Sequence, residues 1–212
     1  MGLKIKLQMK KITTLFLIIF CITSCIMVPK GVRENFNYCF DGKKTGLDSL
    51  ININGFYYLG EDYEYLTNGE FIFYDNGFVK SGHGKSWSEQ NFDNSIQYGS
   101  YGKYSLSNDT IKMQIITSPE GMGVTEYKIW FKIINYNSIE IIYRGKLNDI
   151  TKSDLKKFKD DIKSDIFYKK KGRIYKVSPT KRKSDINKTY IIHKKWFWCN
   201  ELDYKTYKKN NL

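Results

Sequence analysis

The side chains able to make or break bonds are few. Four cysteines (Cys21, Cys25, Cys39, Cys199) and two histidines (His83, His193) are the whole stock of thiols and imidazoles in 212 residues. Nucleophilic, acid–base and metal chemistry need such groups in convergent sets. The spacing offers no Cys-x-x-Cys, no His-Glu-x-x-His and no phosphate loop ending in Gly-Lys-Ser/Thr. Gly82-His83-Gly84-Lys85-Ser86 lacks the upstream glycine and the strand-to-helix setting, and reads as a hairpin loop. Glu61 and Asp62 are neighbours, which a strand would send to opposite faces. Two histidines alone do not build a zinc site. We therefore expect no enzyme: no catalytic residue, no metal and no cofactor.

The remaining chemistry belongs to the cysteines. Lys4, Lys6, Lys10 and Lys11 precede the apolar run Ile12–Cys21, and Ile22-Thr23-Ser24-Cys25 follows. A positive region, a short apolar run and small residues form the order of a secretory signal. The last four residues resemble the lipobox of bacterial lipoproteins. The resemblance implies cleavage before Cys25 and fatty acylation of its sulfur, palmitate included. Two or more acyl chains suffice for stable anchoring, at about 0.8 kcal/mol per buried methylene. The apolar stretch is short for a spanning helix, which wants about 20 residues. Ile26 and Met27 follow the cysteine, so an acidic retention or surface-export signal is missing. The expected address is the outer membrane, facing the periplasm.

With Cys21 lost and Cys25 acylated, Cys39 and Cys199 remain. An even remainder in an oxidising compartment points to a disulfide. Two buried free thiols are the alternative.

The formal charge of +13 invites a nucleic-acid reading. Export argues against it, and so does composition: 31 of the 35 basic residues are Lys and four are Arg, the better reader of phosphate and bases. Charge is also uneven. Residues 36–150 carry ten basic and fourteen acidic side chains, whereas residues 151–212 carry nineteen and seven. A mildly acidic body is followed by a basic segment, which suits an acidic partner or a membrane surface. A Lys-rich solvated surface needs neither.

From Gly55 to Arg144 the dominant period is two. Ile111, Met113 and Ile115 share a face, as do Tyr127, Ile129, Phe131 and Ile133, and then Ile139, Ile141 and Tyr143. Such alternation is half-buried antiparallel strand. Asn68-Gly69, Asp75-Asn76-Gly77, Ser107-Asn108-Asp109, Pro119–Gly123 and Asn135-Tyr136-Asn137 punctuate it as turns. Counting Phe56–Leu59 and the ambiguous Tyr63–Leu66 gives seven or eight strands. A long one-sided meander tends to close and so remove its edges. The fold expected is mainly β, a meander closing into a barrel or half-barrel with one or two C-terminal helices.

Asn54–Tyr58, Phe73–Phe78 and Tyr98–Tyr104, with Asn108-Asp109-Thr110-Ile111-Lys112 after them, are similar to the lipocalin-like domains of small bacterial lipoproteins. A barrel of about eight strands either fills its interior or holds one ligand. If it holds one, the candidate lining is Tyr57, Phe73, Tyr104, Met113, Phe131 and Tyr143, for a small apolar or amphipathic molecule.

After residue 150 the period changes. Thr151–Asp154 resembles a capping box, and Leu155, Phe158, Ile162 and Ile166 share a helical face up to Gly172. That stripe packs on the barrel or lies in a membrane interface. Arg173–Val177 reads as a strand, and Ser184-Asp185 as the start of a second helix or a strand. Of the three aromatics in Trp196-Phe197-Trp198, two are expected in a core and one over a barrel mouth or partner. Asp48-Ser49-Leu50 and Asp109-Thr110-Ile111 resemble Asp-Ser/Thr-aliphatic O-glycosylation sites.

The chain thus divides into a signal (1–24), a lipidated tether (25–54), a lipocalin-like β domain (55–150) and a basic helix/strand segment packed on it (151–212). Two functions follow. The first is a membrane-tethered barrel with a small ligand. The alternative is a solid-packed structural or interaction module that binds an envelope protein. Neither involves nucleic acid.

Overall fold

Tight turns between short strands set the architecture. A computed structural model describes residues 30–34, 36, 38–59, 70–82, 100–117, 125–145, 150–164, 172–179 and 185–211. The signal, Cys25, Tyr63–Leu66 and His83 lie outside them, so those expectations are not addressed by the fold.

Eight strands close into an antiparallel barrel in chain order: β1 (Gly55–Tyr58), β2 (Glu70–Phe73), β3 (Phe78–Gly82), β4 (Ser100–Ser107), β5 (Thr110–Thr117), β6 (Thr125–Asn135), β7 (Ser138–Gly145) and β8 (Ile174–Pro179). Up-and-down barrels of this strand number are the architecture of lipocalins. The first stave, β1, pairs with the last, so no sheet edge is left. The seam between β7 and β8 holds Ser138–Glu140 against Ile174–Lys176, with Arg173 gripping Glu140 at 2.9 Å. That last stave comes from the segment after residue 150.

The turns sit where the sequence puts them. Gly77 takes φ +86° after Asp75-Asn76, and Asn108 takes φ +54° between β4 and β5. Both conformations suit Gly and Asn. Gly102 has a different task. A Cβ there would lie 2.0 Å from the Gln114 carbonyl oxygen and 2.7 Å from the Ile115 Cα, so β4 and β5 meet only because no side chain intervenes. Gly102→Ala is expected to cost about 1–3 kcal/mol, as overpacking does. A denaturation midpoint identical to wild type would refute that close approach.

Among the described residues three α-helices accompany the barrel: α1 (Lys30–Glu34), α2 (Lys152–Ser164) and α3 (Glu201–Asn211). The capping box at α2 is present: Asp154 N–H donates to Thr151 Oγ1 at 3.2 Å, and Thr151 N–H donates to Asp154 Oδ2 at 2.9 Å. The helix packs along β7, and its Ile162 joins the barrel interior. Where a second helix or a strand is expected after Ser184-Asp185, the residues from Asp185 on form a series of 3-10 turns: Ile186–Lys188, Tyr190–His193 and Lys195–Phe197. Asp185 caps only the first, accepting from Asn187 N–H. Regular helix resumes at α3, where Asn200 Oδ1 takes the Asp203 N–H at 2.8 Å. Among the described residues, no helix is long and apolar enough to cross a membrane.

Cys39 and Cys199 form a disulfide across a sequence separation of 160. Beside it Phe40 and Trp198 form a parallel bridge, with Cys199 N–H donating to the Phe40 carbonyl at 2.8 Å. The start and the end of the folded chain are thereby joined.

Candidate functional site in the barrel and its outer layer

Strand alternation sends two sets of side chains to two cores. The inward set forms the barrel interior, and a run of rings in contact crosses it. Tyr57 meets Phe73 with centroids 5.7 Å apart, and Phe73 meets Tyr104 at 5.6 Å and Phe131 at 6.4 Å. Phe131 in turn meets Phe71 at 5.3 Å and Tyr175 at 5.2 Å. Most of these contacts are edge-on, the arrangement aromatic pairs prefer. Ile111, Met113, Ile129, Ile139 and Ile141 fill in around them, each essentially buried.

One end of the barrel is stoppered by the chain that precedes β1. Thr45 N–H donates to the Asp75 carbonyl at 2.7 Å, at the β2–β3 turn. Seven residues later Asn52 N–H donates to the Tyr136 carbonyl at 2.7 Å, at the β6–β7 turn. Between these ties Leu47 and Ile51 drop into the interior, wholly buried. Two buried phenols hold the stopper. Tyr57 donates to the Asn52 carbonyl at 3.2 Å, and Tyr104 donates to the Tyr74 carbonyl while bonding Thr45 Oγ1 at 2.8 Å. Burial raises the pKa of both phenols.

Five of the six candidate lining residues therefore sit together inside: Tyr57, Phe73, Tyr104, Met113 and Phe131. Tyr143 stands apart. A register shift between Trp130 and Phe131 puts it opposite Trp130 rather than among the inward set. It packs on Trp130 and on Phe158 of α2, at 6.0 and 5.8 Å.

The outward set of β2–β5 is covered as well. Ile72, Tyr74, Phe78, Tyr101 and Ile116 form a second core with Phe40, Ile191, Ile192, Phe197 and Trp198. Of the three aromatics in a row, Phe197 and Trp198 are buried while Trp196 is half-exposed and set edge-on against Phe36. The residues from 185 to 199 thus form a strap over the outside of the barrel.

Beneath that strap and the segment around Phe36 and Tyr38 lie polar side chains that strand alternation would leave in solvent. Lys80, Lys103, Gln114 and Lys128 are all nearly fully buried. The Lys103 ammonium lies 4.9 Å from the Phe36 ring and 5.4 Å from the Phe197 ring, with no hydrogen-bond partner. Burial pulls its pKa down to about 6, against a smaller upward pull from Asp41. Lys80 falls to about 8 by burial, and Glu70 rises to about 8 for the same reason. Gln114, cross-strand from Lys103, accepts the Tyr38 N–H at 3.2 Å.

Among the described residues, those with potential acid–base or metal chemistry do not converge. His193 Nε2 lies 2.8 Å from the Asn187 carbonyl oxygen, at the surface. Among the described residues no group of three His, Cys, Asp or Glu is placed to hold a metal. Of the two modification motifs, Ser49 is exposed on the 3-10 turn Leu47–Ser49, and Thr110 opens β5 half-buried.

No family model matches the chain, and no curated protein or solved structure is significantly similar to it. The fold itself places it among proteins built on an eight-stranded antiparallel barrel, consistent with a lipocalin-like fold. Within that class its particular form is a barrel with one stoppered end and a disulfide-fastened outer strap.

Proposed function

We propose that this protein is an exported, lipid-anchored recognition module of the cell envelope, acting through its outer surface rather than through cargo carried inside the barrel. One observation supports this above others: the interior is crossed by its own contacting rings, from Tyr57 through Phe73 and Phe131 to Tyr175. A ligand there would have to displace buried side chains that already satisfy one another. The outer layer is the more elaborated part, and it is made by the segment in which basic residues outnumber acidic ones nineteen to seven. The partner that fits this charge is an envelope protein with an acidic surface.

Cys25 carries the acyl chains in this reading, and the outer membrane faced from the periplasm is the proposed address. The chain from Cys25 to the disulfide at Cys39 spans at most about 50 Å when fully extended, so the barrel works close to its membrane.

Native mass spectrometry of freshly purified protein tests the functional reading. A bare acylated chain accompanied by a stoichiometric protein partner is the expected result. A co-purifying small apolar molecule without such a partner would overturn it. Fatty-acid labelling tests the anchor separately: label is expected on the wild type and lost in Cys25→Ala.

A further inference from the structure

The cystine ties together two segments that cover the outside of the barrel. The segment from Phe36 to Phe40 runs ahead of the first stave, and the strap follows the last. Their rings meet across the junction. Phe197 contacts Phe36 at 5.6 Å and Phe40 at 5.3 Å, and Phe40 stands edge-on to Trp198 at 4.8 Å. Two main-chain bonds accompany them: Phe40 N–H donates to the Phe197 carbonyl at 3.2 Å, and Cys199 N–H donates to the Phe40 carbonyl at 2.8 Å.

Cys39 and Cys199 are both exposed, whereas their neighbours Phe40 and Trp198 are buried. The sulfurs are thus at the surface and the anchors they fasten are inside. A disulfide breaks by attack of a thiolate on one of its sulfurs, and exposed bridges are the labile ones.

Under the junction lies a group that favours its opening. Lys103 is 1 % exposed, and its Nζ has no hydrogen-bond partner. Its cover is one ring from each tied segment, Phe36 at 4.9 Å and Phe197 at 5.4 Å. Asp41, two residues past Cys39, acts on the amine from a distance without a hydrogen bond. An amine kept from water with no hydrogen bond raises the free energy of the closed form. Moving either segment aside returns it to water. Ring contacts, main-chain bonds and the cystine hold the cover shut against that tendency.

The division of the molecule into two cores lets the cover move by itself. Ile72, Tyr74, Phe78, Tyr101 and Ile116 belong to the outer core with the strap. The barrel interior is a separate cluster, and the barrel is closed by the pairing of β1 and β7 with β8. Local opening of one such unit below the free energy of global unfolding is a common property of folded chains.

We propose that the Cys39–Cys199 bridge is a redox latch, and that thiol–disulfide exchange with a dithiol releases the Phe36–Phe40 segment and the strap while the eight staves stay closed. One thiolate of the dithiol attacks a bridge sulfur, and the other bridge sulfur leaves and takes up a proton. The second thiol then attacks the mixed disulfide and frees the remaining cysteine. Cys39 and Cys199 together gain two electrons and two protons, and the dithiol becomes a disulfide. The latch stands independently of the partner proposed for the basic segment.

The test uses the full-length oxidised protein in detergent, treated with dithiothreitol in native buffer. Thiol counting follows the bridge, and amide hydrogen exchange read by mass spectrometry follows the fold. Both cysteines are expected to be reduced without denaturant. On reduction the peptides containing Phe40 and Cys199 should lose protection, relative to the β5–β6 ladder, by about tenfold or more. Reoxidation should restore the ratio. Lys103→Met removes the amine and keeps the bridge, and ladder protection in its oxidised form reports that it folds. Its reduced strap should stay about tenfold better protected than that of the reduced wild type. A bridge that resists dithiothreitol until denaturant is added would overturn the latch. So would strap and ladder losing protection in equal proportion, since the cystine would then be a staple for the whole fold. Equal strap opening in both reduced proteins would overturn the part assigned to the amine.

Discussion

Replacing Cys39 and Cys199 together by serine is expected to lower the free energy of unfolding by about 5 kcal/mol in the chain-entropy view of a loop this long. The bridge joins residues 160 positions apart, so the unfolded chain without it gains a large ensemble. The folded chain loses little directly, because Phe40 and Phe197 remain hydrogen-bonded at 3.2 Å and their rings remain stacked at 5.3 Å. The strap is expected to exchange its amide hydrogens before the barrel does. Urea denaturation of the oxidised protein and of the double variant measures the effect. A difference below about 1 kcal/mol would show that the bridge contributes little beyond its neighbours. In the wild type, free-thiol counting under denaturing, non-reducing conditions should find neither Cys39 nor Cys199.

The second large effect has the opposite sign. Lys103→Met is expected to stabilise the protein near neutral pH by about 2–4 kcal/mol, the scale of relieving a buried amine that has no hydrogen bond and must shed its proton to be buried. The gain depends on pH in a defined direction. In the unfolded chain the amine titrates near 10.4, while in the fold it titrates near 6. Between those values the unfolded state holds a proton that the folded state has shed, so stability rises with pH across the window. Below about 6 both states are charged and the whole penalty of burial is present. The substitution should therefore help most at pH 6 and below, and least above pH 10. Lys80 acts in the same direction over a narrower window, from about 8 upward. Glu70, raised to about 8, acts in the opposite direction between its ordinary acid range and that value. Thermal melts from pH 5 to 10 compare the slopes. An unaltered slope in Lys103→Met would show that the ammonium is solvated in the fold.

How much of this was legible in the chain depends on the range of the interaction involved. Hairpins are local, so Asp75-Asn76-Gly77, Ser107-Asn108-Asp109 and Asn135-Tyr136-Asn137 announced the β2–β3, β4–β5 and β6–β7 turns. Alternation is local too, and Ile111, Met113 and Phe131 face inward as their period requires. The α2 capping box was readable for the same reason. The disulfide followed from counting rather than geometry. What could not be read is the layer contributed from far along the chain. Alternation places Lys103 and Lys128 away from the interior and so implies solvent, because nothing near them in sequence covers them. Their burial comes from residues 36–40 and 185–199, which are remote from β4 and β6. Tyr143 leaves the inward set for a smaller reason: a bulge in its own strand changes the parity of pairing, and no composition signal marks that position. The Asn200-x-x-Asp203 cap of α3 is a local N-terminal signal that the adjoining aromatic cluster obscures.

The bridge at Cys39 also determines how the molecule bears load. A pull on the chain ahead of residue 39 divides at the cystine, part passing into the Phe40 backbone and part into Trp198. Detaching the leading segment then requires tearing away the trailing one at the same time, and both are seated in the cluster of Phe40, Ile192, Phe197 and Trp198. The eight staves lie beyond that junction and feel the tension only after it yields.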